Sequence, residues 1–211
     1  MSKESQNEQV RALTALLKAR LSKKRFTHSV NVARAAFALA ERWDADPQKA
    51  YLAGLLHDCC KELPFPEQES LMRQGPFPVS DTEWLCKPVW HGIAAASYMY
   101  TELGIDDMDV LGAARWHTVG HANMTRLEEI VYMADLISAD RTYHDVDRFR
   151  KMAQTDLEKA LLCAFEYAIS SVLKKETPLP VSTVEAYNDY LARIASRSEL
   201  KQKSVDRKKN S

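Results

Sequence analysis

Apolar residues recur along this chain at every third or fourth position, seldom at every second. Phe26, Val30, Ala33, Phe37 and Ala40 form one such stripe and Val89, Ile93, Ala96, Tyr100 and Leu103 another. This is the spacing of helix faces that pack on a shared core. Alternating patterns are scarce, and six glycines leave few sites for tight hairpins, so the predicted fold class is all-α. Hydroxyl and carboxylate residues three apart mark helix starts as capping boxes: Ser80 with Glu83, Thr125 with Glu128, Thr155 with Glu158, Ser182 with Glu185. Asp46 ahead of Pro47 is a fifth start. These signals predict helices over 7–20, 24–43, 47–60, 66–74, 81–86, 88–103, 107–117, 126–138, 156–175 and 182–196, with loops at 63–66 and 75–78.

Composition narrows the organisation. A chain of 211 residues that is 45% hydrophobic suits one domain with its own core, and no linker-like stretch interrupts 7–196. A single domain is therefore expected over 1–195. Residues 196–211 carry six basic and two acidic side chains with almost no apolar content, which reads as a solvated basic tail. Lys plus Arg total 29 and Asp plus Glu total 29, so no whole-chain field draws the protein to nucleic acid or to an anionic membrane. The polar start and the absence of any run of about twenty apolar residues lead to the expectation of an untargeted cytoplasmic protein. Cys59, Cys60, Cys86 and Cys163 lack zinc-type spacing and read as buried reduced thiols.

Candidate chemistry lies where ionisable residues fall on apolar stripes. His57 and Asp58 continue the run Leu52, Ala53, Leu55, Leu56, and Asp135 follows Leu127 and Val131 at four-residue steps. His117 extends Val110, Ala113 and Ala114, while His28 and His91 each lie in the first turns of an apolar helix. Any one of these histidines alone reads as a hydrogen-bonded core imidazole. Four histidines and two aspartates near buried faces of separate helices are another matter, because unpaired buried carboxylates are costly. A divalent metal centre is the economical account. A ligand set without cysteine disfavours structural zinc and suits iron, manganese, cobalt or nickel.

The set His28, His57-Asp58 and Asp135 resembles the H…HD…D signature of the HD-domain superfamily of metal-dependent phosphohydrolases, and His91 and His117 resemble its two-metal branch. More narrowly, Leu55-Leu56-His57-Asp58, Lys61-Glu62-Leu63, His91-Gly92, His117-Thr118-Val119-Gly120 and Val131 to Asp135 are similar to the bacterial YqeK proteins. The likeness runs from about residue 10 to about 195. It implies an all-helical hydrolase cleaving dinucleoside tetraphosphates, such as diadenosine tetraphosphate, symmetrically to two nucleoside diphosphates, with iron as the associated metal. It further implies that His28, His57, Asp58 and Asp135 hold one metal and that Asp58 bridges to a second held by His91 and His117. Where that family commonly has Ile-Glu-Pro-Xaa-Arg after the last aspartate, this chain has Ile137-Ser138-Ala139-Asp140-Arg141.

On this reading a metal-activated hydroxide attacks the second phosphorus from one end of the four-phosphate chain. Lys61, three residues beyond Asp58, can serve catalysis and bind phosphate as a point charge, and Arg141 can bind phosphate bidentately. Thr118 and the backbone at Gly120 offer donors beside a ligand, and His121 is a further substrate contact; His144 reads as surface. Trp84, Trp90 and Trp116 flank the loops around His91 and His117 and read as packing more readily than as base-stacking platforms. Rival readings of the same ligands are a nucleotidase or cyclic-nucleotide phosphodiesterase, a di-iron oxygenase and a non-catalytic nucleotide sensor. A homodimer is compatible with all of them.

Overall fold

The structure, a computed structural model, describes residues 3–209, with side chains from 8 to 199. The described residues form eleven α-helices and no strand. In chain order they are α1 (Lys3–Arg20), α2 (Lys23–Arg42), α3 (Pro47–Leu56), α4 (Phe65–Met72), α5 (Asp81–Leu85), α6 (Trp90–Thr101), α7 (Met108–Trp116), α8 (Arg126–Ile137), α9 (Val146–Thr155), α10 (Leu157–Lys174) and α11 (Val181–Lys209). A 3₁₀ turn at Lys87–Val89 leads into α6. No helix among the described residues is long and apolar enough to cross a membrane.

The centre is built from α2, α3, α7 and α8, with α2 lying on α3 and α8, and α7 on α8 and α6. Burial follows composition. All ten residues from Trp90 to Met99 of α6 are buried, as are Leu127 to Ala134 of α8, the mark of helices enclosed on every side. α9, α10 and α11 form an outer layer against α8. It is tied down by Glu129 of α8, which accepts from Tyr190 Oη of α11 at 2.6 Å and pairs with Arg193 Nη1 of α11 at 3.5 Å.

Three of the predicted starts hold: Ser80 and Thr125 head complete capping boxes, and Asp46 accepts from the amides of Gln48 and Lys49. Two do not. Asp156, not Thr155, caps α10 by accepting from the Lys159 amide, and α11 begins at Val181, ahead of Ser182. The run 181–209 contains no glycine or proline and is rich in good helix formers, so α11 continues past the predicted end at 196 into the basic segment. The last two residues of that segment lie outside the described residues. α9 was not predicted at all. Its sequence is mostly charged, and only Val146, Phe149 and Ala153 are buried, a single narrow stripe at helical spacing.

α3 and α7 stop earlier than predicted, at Leu56 and Trp116. In each case the next residue is a histidine whose Nδ1 donates to the carbonyl three residues back, His57 to Gly54 at 2.6 Å and His117 to Ala114 at 2.7 Å. The imidazole takes an acceptor that a continuing helix would offer to a backbone N–H. After His57 the chain tightens into i→i+3 turns, with Lys61 N on Asp58 O at 3.0 Å.

Candidate metal centre

Six side chains from five helix segments meet at one point: His28 on α2, His57 and Asp58 after α3, His91 in the first turn of α6, His117 after α7, and Asp135 near the end of α8. The first five are at most 4% exposed, and the Asp135 side chain is 20% exposed. His28 Nε2 lies 2.9 Å from Asp135 Oδ1 and 3.7 Å from Asp58 Oδ2, while His57 Nε2 lies 3.4 Å from Asp58 Oδ2. On the other side His91 Nε2 and His117 Nε2 lie 3.2 and 3.5 Å from Asp58 Oδ1, and 3.2 Å from each other. One oxygen of Asp58 therefore faces one histidine pair and its second oxygen faces the other.

Three of these atoms converge without a partner. His28 Nε2, His57 Nε2 and Asp58 Oδ1 are buried off hydrogen-bond geometry and without a hydrogen-bond partner. Orphaned buried acceptors aimed at one point are what a cation requires, and the N and O donor set suits a borderline or hard divalent ion. The opposite ring nitrogens are anchored, as ligating histidines need: His57 on Gly54 O, His117 on Ala114 O, and His28 Nδ1 on Asp140 Oδ2 at 2.8 Å.

The electrostatics favour ligation at His91, His117 and the two carboxylates, whereas at His57 burial is outweighed by the charge of Asp58, which raises the imidazole. Burial pushes His91 down to about 4 and lowers His117, so both are neutral imidazoles at neutral pH. Burial alone would raise Asp58 and Asp135. The neighbouring His57, His117 and His91 outweigh it at Asp58, and His28, His57 and Arg141 outweigh it at Asp135, holding both well below the usual carboxylate range. Burial also lowers Lys61, against the pull of Asp58.

Two crossings fix the halves of the site. An added Cβ on Gly54 would lie 2.9 Å from Ala33 Cα, so α2 and α3 approach backbone to backbone there. On Gly92 it would lie 3.2 Å from both Arg115 O and His117 Cε1, where α6 meets α7. Beneath the second crossing Arg115 Nη2 pairs with Glu83 Oε1 at 2.6 Å, a fully buried ion pair.

Of the other residues singled out by sequence, Lys61 and Arg141 come to the cluster. Lys61 Nζ lies 3.0 Å from His91 Nε2, and Arg141 pairs with Asp135 Oδ1 and donates from Nε to Asp135 O at 2.9 Å. Thr118 Oγ1 is buried without a partner. Gly120 and His121 have other partners. Gly120 takes a left-handed turn at φ +62°, its N–H already donates to Trp116 O at 2.8 Å, and a Cβ there would strike the Phe165 ring at 2.5 Å. Its smallness thus serves packing, and its amide is committed. His121 bonds to Ala122 O and to Glu128 Oε2 at 3.0 Å, against the Trp116 ring. Trp84 and Trp90 pack edge to face, with Trp90 Nε1 on Glu83 O.

Sequence reasoning missed Arg25, whose Nη1 lies 2.6 Å from Asp58 Oδ2, and Asp140 with its neighbour Asn31. Arg25 and Asn31 each lie three residues from His28, one helical turn away on the same face, which was the available signal. Asp140 left none, lying 112 residues from the histidine it holds.

Comparison with known proteins bears on this geometry. The model of the HD domain matches residues 25–140, more than half of the chain. The chain belongs to the HD-domain family. Two similar proteins carry the name symmetrical bis(5'-nucleosyl)-tetraphosphatase. That of Bacillus subtilis is 35% identical over 174 residues, covering 82% of this chain and 93% of the relative. That of Staphylococcus aureus is 34% identical, covering 83% and 91%. A crystal structure described as a predicted HD superfamily hydrolase involved in NAD metabolism, from Clostridium acetobutylicum, superposes with a TM-score of 0.83 at 38% identity, covering 87% of this chain and 97% of that one. These relatives place the chain in the YqeK group of HD-domain hydrolases.

Proposed function

We propose that this HD-domain protein hydrolyses dinucleoside tetraphosphates symmetrically, releasing two nucleoside diphosphates, at a centre of two divalent ions. The observation that carries this reading is the division of Asp58, one oxygen toward His28 and His57 and the other toward His91 and His117. His28, His57, Asp58 and Asp135 hold one ion, and Asp58, His91 and His117 hold the second, with iron as the proposed metal. When bound, such ions supply a water of lowered pKa and neutralise charge on phosphoryl oxygens.

The chain's own residues do the rest. Asp58 and Asp135 remain ionised and so keep full negative charge for the ions. Lys61, Arg25 and Arg141 ring the cluster, each within hydrogen-bond reach of a ligand, and offer positive charge to the phosphate chain. Burial of the histidine and aspartate floor excludes bulk water from beneath the reacting phosphate. Three cations beside the ligands favour phosphoryl transfer over oxidation of an organic substrate, which has no use for them. The names of the similar relatives support the substrate class, and a cytoplasmic location belongs to the same reading.

The test is a substrate panel with the iron-loaded protein: dinucleoside tri-, tetra- and pentaphosphates, nucleoside monophosphates and cyclic nucleotides. The tetraphosphate is expected to give the highest kcat/KM. Preference for a monophosphate or cyclic nucleotide overturns the reading.

A further inference from the structure

The segment between α8 and α9 departs from the pattern that the sequence resembles, and it is here that His28 finds its second partner. Asp140 Oδ2 lies 2.8 Å from His28 Nδ1, while Asp140 Oδ1 accepts from Asn31 Nδ2 at 3.1 Å. Both partners project from α2, so one carboxylate clamps two successive turns of that helix. The segment carrying Asp140 is itself held. Arg150 of α9 donates from Nη2 to Ser138 O at 2.8 Å and Arg141 O at 3.0 Å, and from Nε to Ile137 O at 3.0 Å.

His57 and His117 each use a backbone carbonyl from their own helix to fix the ring. His28 has no such carbonyl in use and depends on a side chain 112 residues away. We infer that Asp140 is a positioning residue for the metal centre: it accepts the Nδ1 proton of His28, fixes the tautomer that presents Nε2 to Asp58 and Asp135, and makes that imidazole the stronger donor. Asn31 orients the carboxylate, and Arg150 braces the segment that carries it. The α8–α9 connection is thus a strap whose integrity sets affinity on the His28 side of the centre, while His91 and His117 lie outside its reach. This inference rests on the reading of the cluster as a metal centre.

The test equilibrates the full chain against buffered free Co(II) and records bound metal and the visible ligand-field spectrum for wild type, Asp140→Ala, Asp140→Asn, Asn31→Ala and His57→Ala. Asp140→Ala is expected to weaken Co(II) binding about 10- to 100-fold and to shift the spectrum. Asp140→Asn, which keeps an acceptor without the charge, is expected to fall between it and wild type. Asn31→Ala is expected to lose affinity in the same direction by less, and it carries the test if Asp140→Ala fails to fold. Wild-type affinity and spectrum in Asp140→Ala, or in the pair Asp140→Asn and Asn31→Ala, overturn the inference if His57→Ala is weakened. If wild type and His57→Ala take up Co(II) alike, it is the metal reading itself that falls.

Discussion

Gly54→Ala is the smallest change that separates the two helices carrying His28 and the His57-Asp58 pair. The added methyl would sit 2.9 Å from Ala33 Cα, 3.1 Å from Ala33 N and 3.2 Å from the Val32 carbonyl carbon. All three are backbone atoms, so no flexible side chain can yield. Carbon atoms rest at about 3.5–4.0 Å, and α2 and α3 must therefore part by roughly 0.6–1 Å. Overpacking of this kind costs about 1–3 kcal/mol. Alanine's better helix propensity returns about 1 kcal/mol, leaving a net loss of up to about 2 kcal/mol. For a chain of this length that is a fall in Tm of up to about 8 °C. The effect on the site is larger in proportion, because ligand distances are tolerant only to about 0.2 Å. A displacement several times that size enters directly between His28 and Asp58. Differential scanning fluorimetry and a Co(II) titration read both effects. Weaker metal binding is expected together with the lower Tm; a variant that binds metal as wild type does and melts higher refutes the close-crossing account.

Other perturbations give distinct signatures. Gly92→Ala crowds Arg115 O and His117 Cε1 at 3.2 Å, a milder clash, and is expected to weaken metal binding less than Gly54→Ala in the same titration. Arg25→Ala removes a charged contact to Asp58 and is expected to lower kcat/KM about 10- to 100-fold, the equivalent of about 1.5–3 kcal/mol, measured by steady-state kinetics. Glu83→Gln leaves Arg115 charged and buried without its counterion, at a cost of about 3–5 kcal/mol, whereas the paired replacement Glu83→Leu with Arg115→Met is expected to recover most of the Tm. The Ser22 backbone N–H and hydroxyl hold Glu62 below its ordinary value of 4.5. A depressed carboxylate adds stability that is present above its unfolded value and lost as pH falls through the folded one. Glu62→Gln is therefore expected to lower Tm at pH 7 and to make no difference once the pH is well under 4.5, as thermal melts across that range would show.

The centre was legible because its ligands break an otherwise apolar pattern. His57, Asp58, His117 and Asp135 continue stripes that lead into the core, and a polar residue in such a place demands a partner. Helix interiors were legible for the same reason, but their ends were not. α3 and α7 stop where an imidazole takes the carbonyl, a competition invisible in propensity. α9 escaped because three buried residues in a charged run give too thin a stripe. Asp140 and Arg25 sit among polar neighbours, and only the packing of α2 against α3 and α8 gives them their partners. Gly120 shows the converse. Its position beside His117 suggested a cradle for phosphate, whereas Phe165, 45 positions on in the chain, is what the missing side chain makes room for.

The central claim is symmetric cleavage at a divided Asp58. It is tested most directly by chromatography of the products after the iron-loaded protein has turned over diadenosine tetraphosphate. ADP alone is expected, with no product from Asp58→Ala. AMP together with ATP, or intact substrate, would contradict it.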